Sequence, residues 1–78
     1  MTGDELRHAI LEIEATQAWF ARTIGVQPRS VRSWISGRYP VPTVVALLLN
    51  VMIEEGLIKG DLERVRRRLD TASLGGRA

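Results

Sequence analysis

The chain has 78 residues, enough for one domain, and its 11 Lys and Arg residues against 9 Asp and Glu give a formal net charge of +2. It has no cysteine and one histidine, His8, which excludes disulfides, thiolate metal sites and a metal site built from histidines. The longest apolar run, residues 44–53, is broken only by Asn50 and is about half of the roughly 20 residues that span a bilayer. The acidic start, MTGDELRH, lacks the apolar core of a secretion signal. We therefore expect a cytoplasmic protein with no cofactor, no metal and no membrane contact.

The first two predicted helices each begin with a cap and continue with apolar residues at helical spacing. Thr2 and Glu5 match a capping box, in which each side chain bonds to the other residue's backbone N–H. Thr16 suits the N-cap of the second helix. The positions that we expect to face the core are Leu6, Ile10 and Ile13 in the first helix and Phe20, Ala21 and Ile24 in the second.

A third helix is predicted after a tight turn. Gly25 supplies the positive φ that a sharp exit from a helix requires. Pro28 suits the first turn of the next helix, because its missing N–H would be unbonded there. Gly37 is predicted to end this helix, after a buried stripe of Val31, Trp34 and Ile35. For Trp19, on the second helix, burial and contact with a partner remain equally open.

The fourth predicted helix covers residues 43–55, between a connector stiffened by Pro40 and Pro42 and a stop at Gly56. It is apolar on nearly every side, which is typical of a helix that is buried all round. A domain of this size buries only roughly 60 % of its unfolded surface, so we expect a second copy to cover the helix; burial within the monomer alone is the alternative. The predicted dimer contacts are Val44, Leu48, Val51, Met52, Leu62 and Val65.

A fifth helix is predicted over residues 61–70, with Leu62, Val65 and Leu69 on one stripe. Its arginines, within residues 64–68, are expected to form a solvated face paired with neighbouring acids rather than a phosphate site. Residues 73–78 are expected to fray. The predicted fold is therefore all-α, a compact four- to five-helix bundle, with one domain over residues 1–71 and a flexible tail over residues 72–78.

Charge is distributed unevenly along the chain. No Asp or Glu lies between Ala15 and Ile53, yet this window holds four arginines, at positions 22, 29, 32 and 38. The acids are confined to the two ends, where basic residues accompany them. A basic region that no carboxylate opposes favours a polyanionic partner, and nucleic acid is the first to test.

Residues 17–37, QAWFARTIGVQPRSVRSWISG, match a helix-turn-helix unit. Ala21 is small enough for the helix crossing, and Gly25 follows four residues later in the turn. In such a unit the N-terminal half of the second helix enters the major groove, where arginine can donate two hydrogen bonds to guanine O6 and N7. The predicted base-reading residues are Arg29, Arg32, Gln27 and Ser33. The predicted phosphate contacts are Gln17, Arg22, Ser30, Ser36, Arg38 and Tyr39.

These residues resemble the Cro/C1-type (XRE) helix-turn-helix regulators of phages and bacteria over residues 6–57, which implies a lambda-repressor-like DNA-binding domain. Within that family, GVQPRSVRSWIS followed by RYPVPTVVALLL is similar to the small anti-CRISPR-associated (Aca) repressors. The resemblance implies a homodimer that binds an inverted repeat in a promoter and represses its own operon in a phage or mobile element. It also implies that Arg29 and Arg32 read bases.

Two other functions can be weighed against repression. A DNA-binding antitoxin would use the C-terminal helix to cover a toxin, and a toxin-sized neighbouring gene would favour it. An enzyme is not expected, because the basic centre has no carboxylate or cysteine and His8 has no evident serine and acid arrangement.

Overall fold

Five α-helices form the structure, a computed structural model that describes the backbone of residues 1–76 and the side chains of residues 1–69. In chain order they are α1 (Gly3–Glu12), α2 (Gln17–Ile24), α3 (Pro28–Ile35), α4 (Thr43–Glu54) and α5 (Lys59–Gly76). The predicted all-α bundle is confirmed. Within residues 1–76, no helix is both long and apolar enough to cross a membrane.

The helix starts follow the local signals in the sequence. Thr2 N–H donates to Glu5 Oε1 at 2.7 Å and Glu5 N–H donates to Thr2 Oγ1 at 3.1 Å, which completes the capping box of α1. Thr16 Oγ1 accepts from Trp19 N–H at 3.1 Å and so caps α2. Gly25 ends α2 in the left-handed region, at φ 82°, and Pro28 opens α3.

Helix α1 lies at the centre of the bundle, since it packs against α2, α3 and α4, and α2 packs in turn against α3. The side chains between them exclude water almost completely: the largest fully buried ones are Leu6, Ile10, Ile13, Phe20, Val31, Leu49 and Met52. Trp19 is also buried, at 8 % exposure, and the Lys59 ammonium lies 5.9 Å from the centre of its ring. This core fixes α3 against two other helices.

The N-terminus of α1 touches the C-terminus of α3 through backbone atoms. A Cβ built on Gly3 would lie 2.1 Å from the carbonyl oxygen of Ile35 and 2.8 Å from that of Trp34. Real Cβ atoms do not come this close to a carbonyl, so only glycine allows the two helices to meet here. The sequence pattern did not indicate this contact, which holds the end of α3 in place.

The turn that follows α1 contains a residue in the left-handed conformation that is not glycine. Glu14 has φ 61°, while its own N–H donates to Leu11 O at 2.9 Å and the next N–H, of Ala15, donates to Ile10 O at 3.1 Å. A side chain in this region is strained by contact with its own backbone, at a cost of about 1–2 kcal/mol. We therefore expect Glu14→Gly to raise the free energy of unfolding by about 0.5–1 kcal/mol, after the greater freedom of glycine in the unfolded chain is subtracted.

Thermal unfolding of matched variants checks this expectation. Glu12→Gly removes a similar exposed carboxylate two residues earlier, inside α1, where glycine should cost about 1 kcal/mol. Opposite shifts of Tm would identify the backbone conformation as the cause. A lower Tm for Glu14→Gly would show that its side chain makes a stabilising interaction instead.

Helix α4 corrects two predictions. The alternative that the monomer alone buries it is wrong, because Val44, Leu47 and Val51 are 75, 58 and 54 % exposed along one stripe; cover by a second copy stays a prediction. Met52 does not belong to a dimer surface: its side chain is 1 % exposed and fills the core of the monomer, on the buried side of α4 with Val45 and Leu49. Leu48 and Leu62 are half-buried and pack against the core, and Val65 is 47 % exposed.

Helix α5 is longer than predicted. It begins at Lys59 instead of residue 61 and runs to Gly76, through the predicted domain boundary at residue 71 and into the segment expected to fray. Its start is fixed by Lys59 N–H, which donates to Ile13 O at 2.7 Å, and by Ile58 N–H, which donates to Asp61 Oδ2 at 2.9 Å. This last bond, with the neighbouring Arg64, lowers the pKa of Asp61. The rest of the predicted tail, residues 77–78, lies outside the described residues.

Candidate nucleic-acid interface

Helix α3 buries one side and presents the other to solvent. Val31 is fully buried, whereas Trp34 and Ile35, predicted to be buried with it, are half-buried and pack against the core. The predicted base-reading residues lie on the open side: Gln27, Arg29 and Arg32 are exposed and Ser33 is half-buried. Arg29, Arg32 and Ser33 share one face because they are spaced by three and four residues. The structure therefore places three of the four side chains assigned to base reading on one face, while Gln27 lies before them at the N-cap of α3.

The connector after α3 is held against the end of that helix. Arg38 N–H donates to Ser33 O at 3.0 Å and Gly37 N–H donates to Trp34 O at 3.2 Å, the two bonds of a Schellman motif. Tyr39 N–H also points to Ser33 O, at 3.3 Å. The exposed side chains of Arg38 and Tyr39 are thus fixed beside α3, with the guanidinium 5.9 Å from the centre of the tyrosine ring.

A shallow groove of about 250 Å³ joins α3 to this connector. Its lining consists of Arg29, Ser30, Ser33, Trp34, Arg38 and Tyr39. The sequence predicts that Trp34 is buried in the core, yet its side chain also lines this groove. Trp34 follows Ser30 by four residues and therefore lies on the same side of α3. This spacing could have predicted its place in the groove. The groove combines two arginine guanidinium groups, two serine hydroxyls and two aromatic side chains. Such groups suit a sugar–phosphate backbone.

The other predicted phosphate contacts are more dispersed. Gln17 is half-buried at the first position of α2, where unbonded backbone N–H groups favour an anion. Arg22 is exposed on α2. Ser36 is exposed, but its hydroxyl already donates to Ser33 O at 3.1 Å and would have to rotate to reach a phosphate.

Among the side chains that the structure describes, the arginines of this surface form no salt bridge with an acidic residue. Among the side chains of residues 1–69, the salt bridges lie elsewhere, between Arg7 and Asp4 at 3.6 Å and between Arg64 and Asp61. Arg22, Arg29, Arg32 and Arg38 are all exposed. Their charges reinforce one another rather than being neutralised locally, so the surface attracts anions.

No family model, no curated protein and no solved structure matches this chain. What the surface binds is therefore inferred from its own chemistry.

Proposed function

We propose that this protein is a sequence-specific DNA-binding repressor that acts in the cytoplasm as a homodimer. Its helices α2 and α3 would form a helix-turn-helix unit, with α3 in the major groove of an inverted repeat in a promoter. The regulated operon would include its own gene. This agrees with the resemblance of residues 6–57 to the Cro/C1-type regulators and to the anti-CRISPR-associated repressors among them.

One observation carries the proposal: Arg29 and Arg32 stand exposed on the same face of α3, in a region without carboxylates. Two adjacent, like-charged side chains gain nothing from each other in the monomer. Guanine edges offer each of them a planar pair of acceptors, and phosphates beside Arg38 and Tyr39 would hold the helix in register. A membrane or an acidic protein could bind these charges in many arrangements. Two arginines three residues apart, beside a groove that a sugar–phosphate backbone can follow, favour DNA over both.

The homodimer is supported by the exposed apolar stripe of α4. Val44, Leu47 and Val51 are spaced by three and four residues and form a surface that water solvates poorly. A two-fold dimer would present two copies of α3 to half-sites about one helical turn apart, roughly 34 Å.

A DNA titration tests the proposal directly. The purified protein is titrated against labelled DNA from upstream of its own gene and against a shuffled fragment of the same composition, at low and at physiological salt. We expect tight binding to the native fragment alone, with two protomers per site. We also expect log affinity to fall linearly with log salt concentration, because the arginines displace counterions from the phosphates.

Comparison of the two fragments distinguishes DNA binding as such from sequence-specific binding. Equal, weak binding to both would mean that the arginine surface binds DNA without reading it, and the repressor function would be wrong. Absence of binding at low salt would remove the nucleic-acid role altogether.

A further inference from the structure

A second groove, remote in sequence from α3, runs between α1 and α4. It has a volume of about 530 Å³, and residues that line it include Met1, Glu5, His8, Leu11, Glu12 and Ile53. Leu11 is 61 % exposed and Met1 39 % exposed, so the walls present apolar surface to water. Asn50 also lines the groove and lies three residues from Leu47, so the exposed stripe of α4 borders it.

Both edges of this groove are acidic. Glu5 and Glu12 line the α1 edge, and Glu54 follows Asn50 by one helical turn on α4. The bonds from Thr2 lower the pKa of Glu5, which keeps its carboxylate charged at neutral pH. Asp4 is set apart from these acids by its pairing with Arg7. An apolar channel with Glu5 and Glu12 on one side and Glu54 near the other fits a basic amphipathic helix.

The same chain contains such a helix. After Leu62, which packs against the core, α5 continues as an arm, defined here as residues 63–76. In the part of the chain that the structure describes, no other helix packs alongside α5. Val65 and Leu69 are 47 and 62 % exposed on one side of the arm. Arg66 and Arg68 lie roughly 80° to either side of that stripe, given the 3.6 residues of each helical turn.

The arm and the groove complement each other in both polarity and charge. A single helix with one apolar side gains little stability in water until that side is covered. The arm would place Val65 and Leu69 between α1 and α4, while its flanking arginines reach the carboxylates on the two edges. In the described part of the chain the arm does not pack on α1 or α4 of its own protomer, and the bond from Lys59 N–H to Ile13 O holds the start of α5 in that arrangement.

We propose that the arm of each protomer lies in the α1–α4 groove of a second copy, so that two copies exchange arms about a two-fold axis. This inference rests on the homodimer of the proposed function and names its surface, but it does not depend on DNA binding. Reciprocal exchange makes the contact twice in each dimer, as two-fold symmetry requires. It also covers the border of the α4 stripe, which neither copy covers alone.

Charge reversal in trans tests the exchange. A groove variant carries Glu12→Arg and Glu54→Arg, and an arm variant carries Arg66→Glu and Arg68→Glu; all four positions are exposed. Sedimentation equilibrium without DNA should show that each variant alone dimerises at least roughly tenfold more weakly than wild type, because every contact becomes repulsive. An equimolar mixture should recover most of the lost affinity, since both contacts of the mixed dimer again pair opposite charges.

A variant with uncharged substitutions and a measurement of thermal unfolding exclude nonspecific charge effects and loss of folding as causes of weaker dimerisation. Val65→Ser combined with Leu69→Ser keeps the arginines and should also weaken the dimer, while a Tm measured at monomeric concentration stays near that of wild type. Failure of the mixture to recover would overturn the exchange, and a groove variant that alone dimerises as tightly as wild type would indicate pairing between two α5 helices instead. Wild-type dimerisation in all variants would overturn the exchange but leave the homodimer intact. A monomeric wild type would overturn both, and the DNA titration would then decide separately whether the surface on α3 binds DNA.

Discussion

An Arg29→Ala variant is expected to bind its operator more weakly and to lose most of its preference for operator over shuffled DNA. A bidentate arginine–guanine contact discriminates by about 1–3 kcal/mol, a factor of roughly 5 to 150 in affinity. Each protomer contributes one such contact, so the loss counts twice for a homodimer. Arg32→Ala is expected to behave in the same way, because both side chains are exposed on the same face of α3. The measurement is the ratio of dissociation constants for the two DNAs at fixed salt.

Arg22→Ala is the matched control for this experiment. Arg22 is also exposed and lies in the same region without carboxylates, but it belongs to α2 and is assigned to phosphate. Its loss should weaken binding to both DNAs equally and should reduce the slope of log affinity against log salt by about one for each contact. If Arg29→Ala instead binds operator and shuffled DNA in the wild-type ratio, Arg29 does not read bases.

A Gly3→Ala variant is expected to be the most destabilising change of a single exposed or half-buried residue. The added methyl carbon would lie 2.1 Å from Ile35 O, 2.7 Å from the carbonyl carbon of Ile35 and 2.8 Å from Trp34 O. These are backbone atoms at the end of a helix, which cannot rotate away as a side chain can. The start of α1 must move away from α3, at a cost of about 3 kcal/mol, the upper part of the range for overpacked sites. For a domain of this size the Tm should fall by roughly 12–24 °C.

Gly60→Ala provides the control, because a Cβ there meets nothing within 4 Å. It lies in the first turn of α5, so alanine should leave the Tm unchanged or raise it slightly. Since Gly3 holds the end of α3, DNA affinity of Gly3→Ala should also fall at temperatures where the protein remains folded. A Tm within a degree or two of wild type would mean that the two helices are not in contact in solution.

The sequence predicted those features of the fold that depend on neighbouring residues. The capping box of Thr2 and Glu5, the cap at Thr16 and the left-handed turn at Gly25 are all signals carried within four residues, and the structure confirms each. The side of α3 that faces solvent also followed from local spacing. These interactions form within a single turn of helix, so they do not depend on how the helices later assemble.

The features that sequence reasoning missed depend on contacts between distant residues. Nothing near Gly3 indicates that Ile35 will lie against it, and Glu14 adopts a conformation that its residue type disfavours because the chain must turn there toward α2. Apolar composition predicted burial along all of α4, but among the described helices only α1 packs against it, and Val44 remains exposed. In the candidate site, Trp34 was missed because a tryptophan that packs on the core can still offer an edge to a groove.

Helix α5 leaves the rest of the bundle after its first turn, so the residues proposed for DNA recognition and those proposed for dimer contact lie in separate parts of the chain. The residues that would choose a DNA sequence lie on α3, within residues 27–36, whereas the exposed side chains of the arm lie beyond residue 62. No described residue of the arm packs on α3, so substitutions in one region need not disturb the other. Duplicated genes for such a protein could therefore acquire separate dimers through a few matched charge changes in the arm and in the α1–α4 groove, while both products still bound the same promoter.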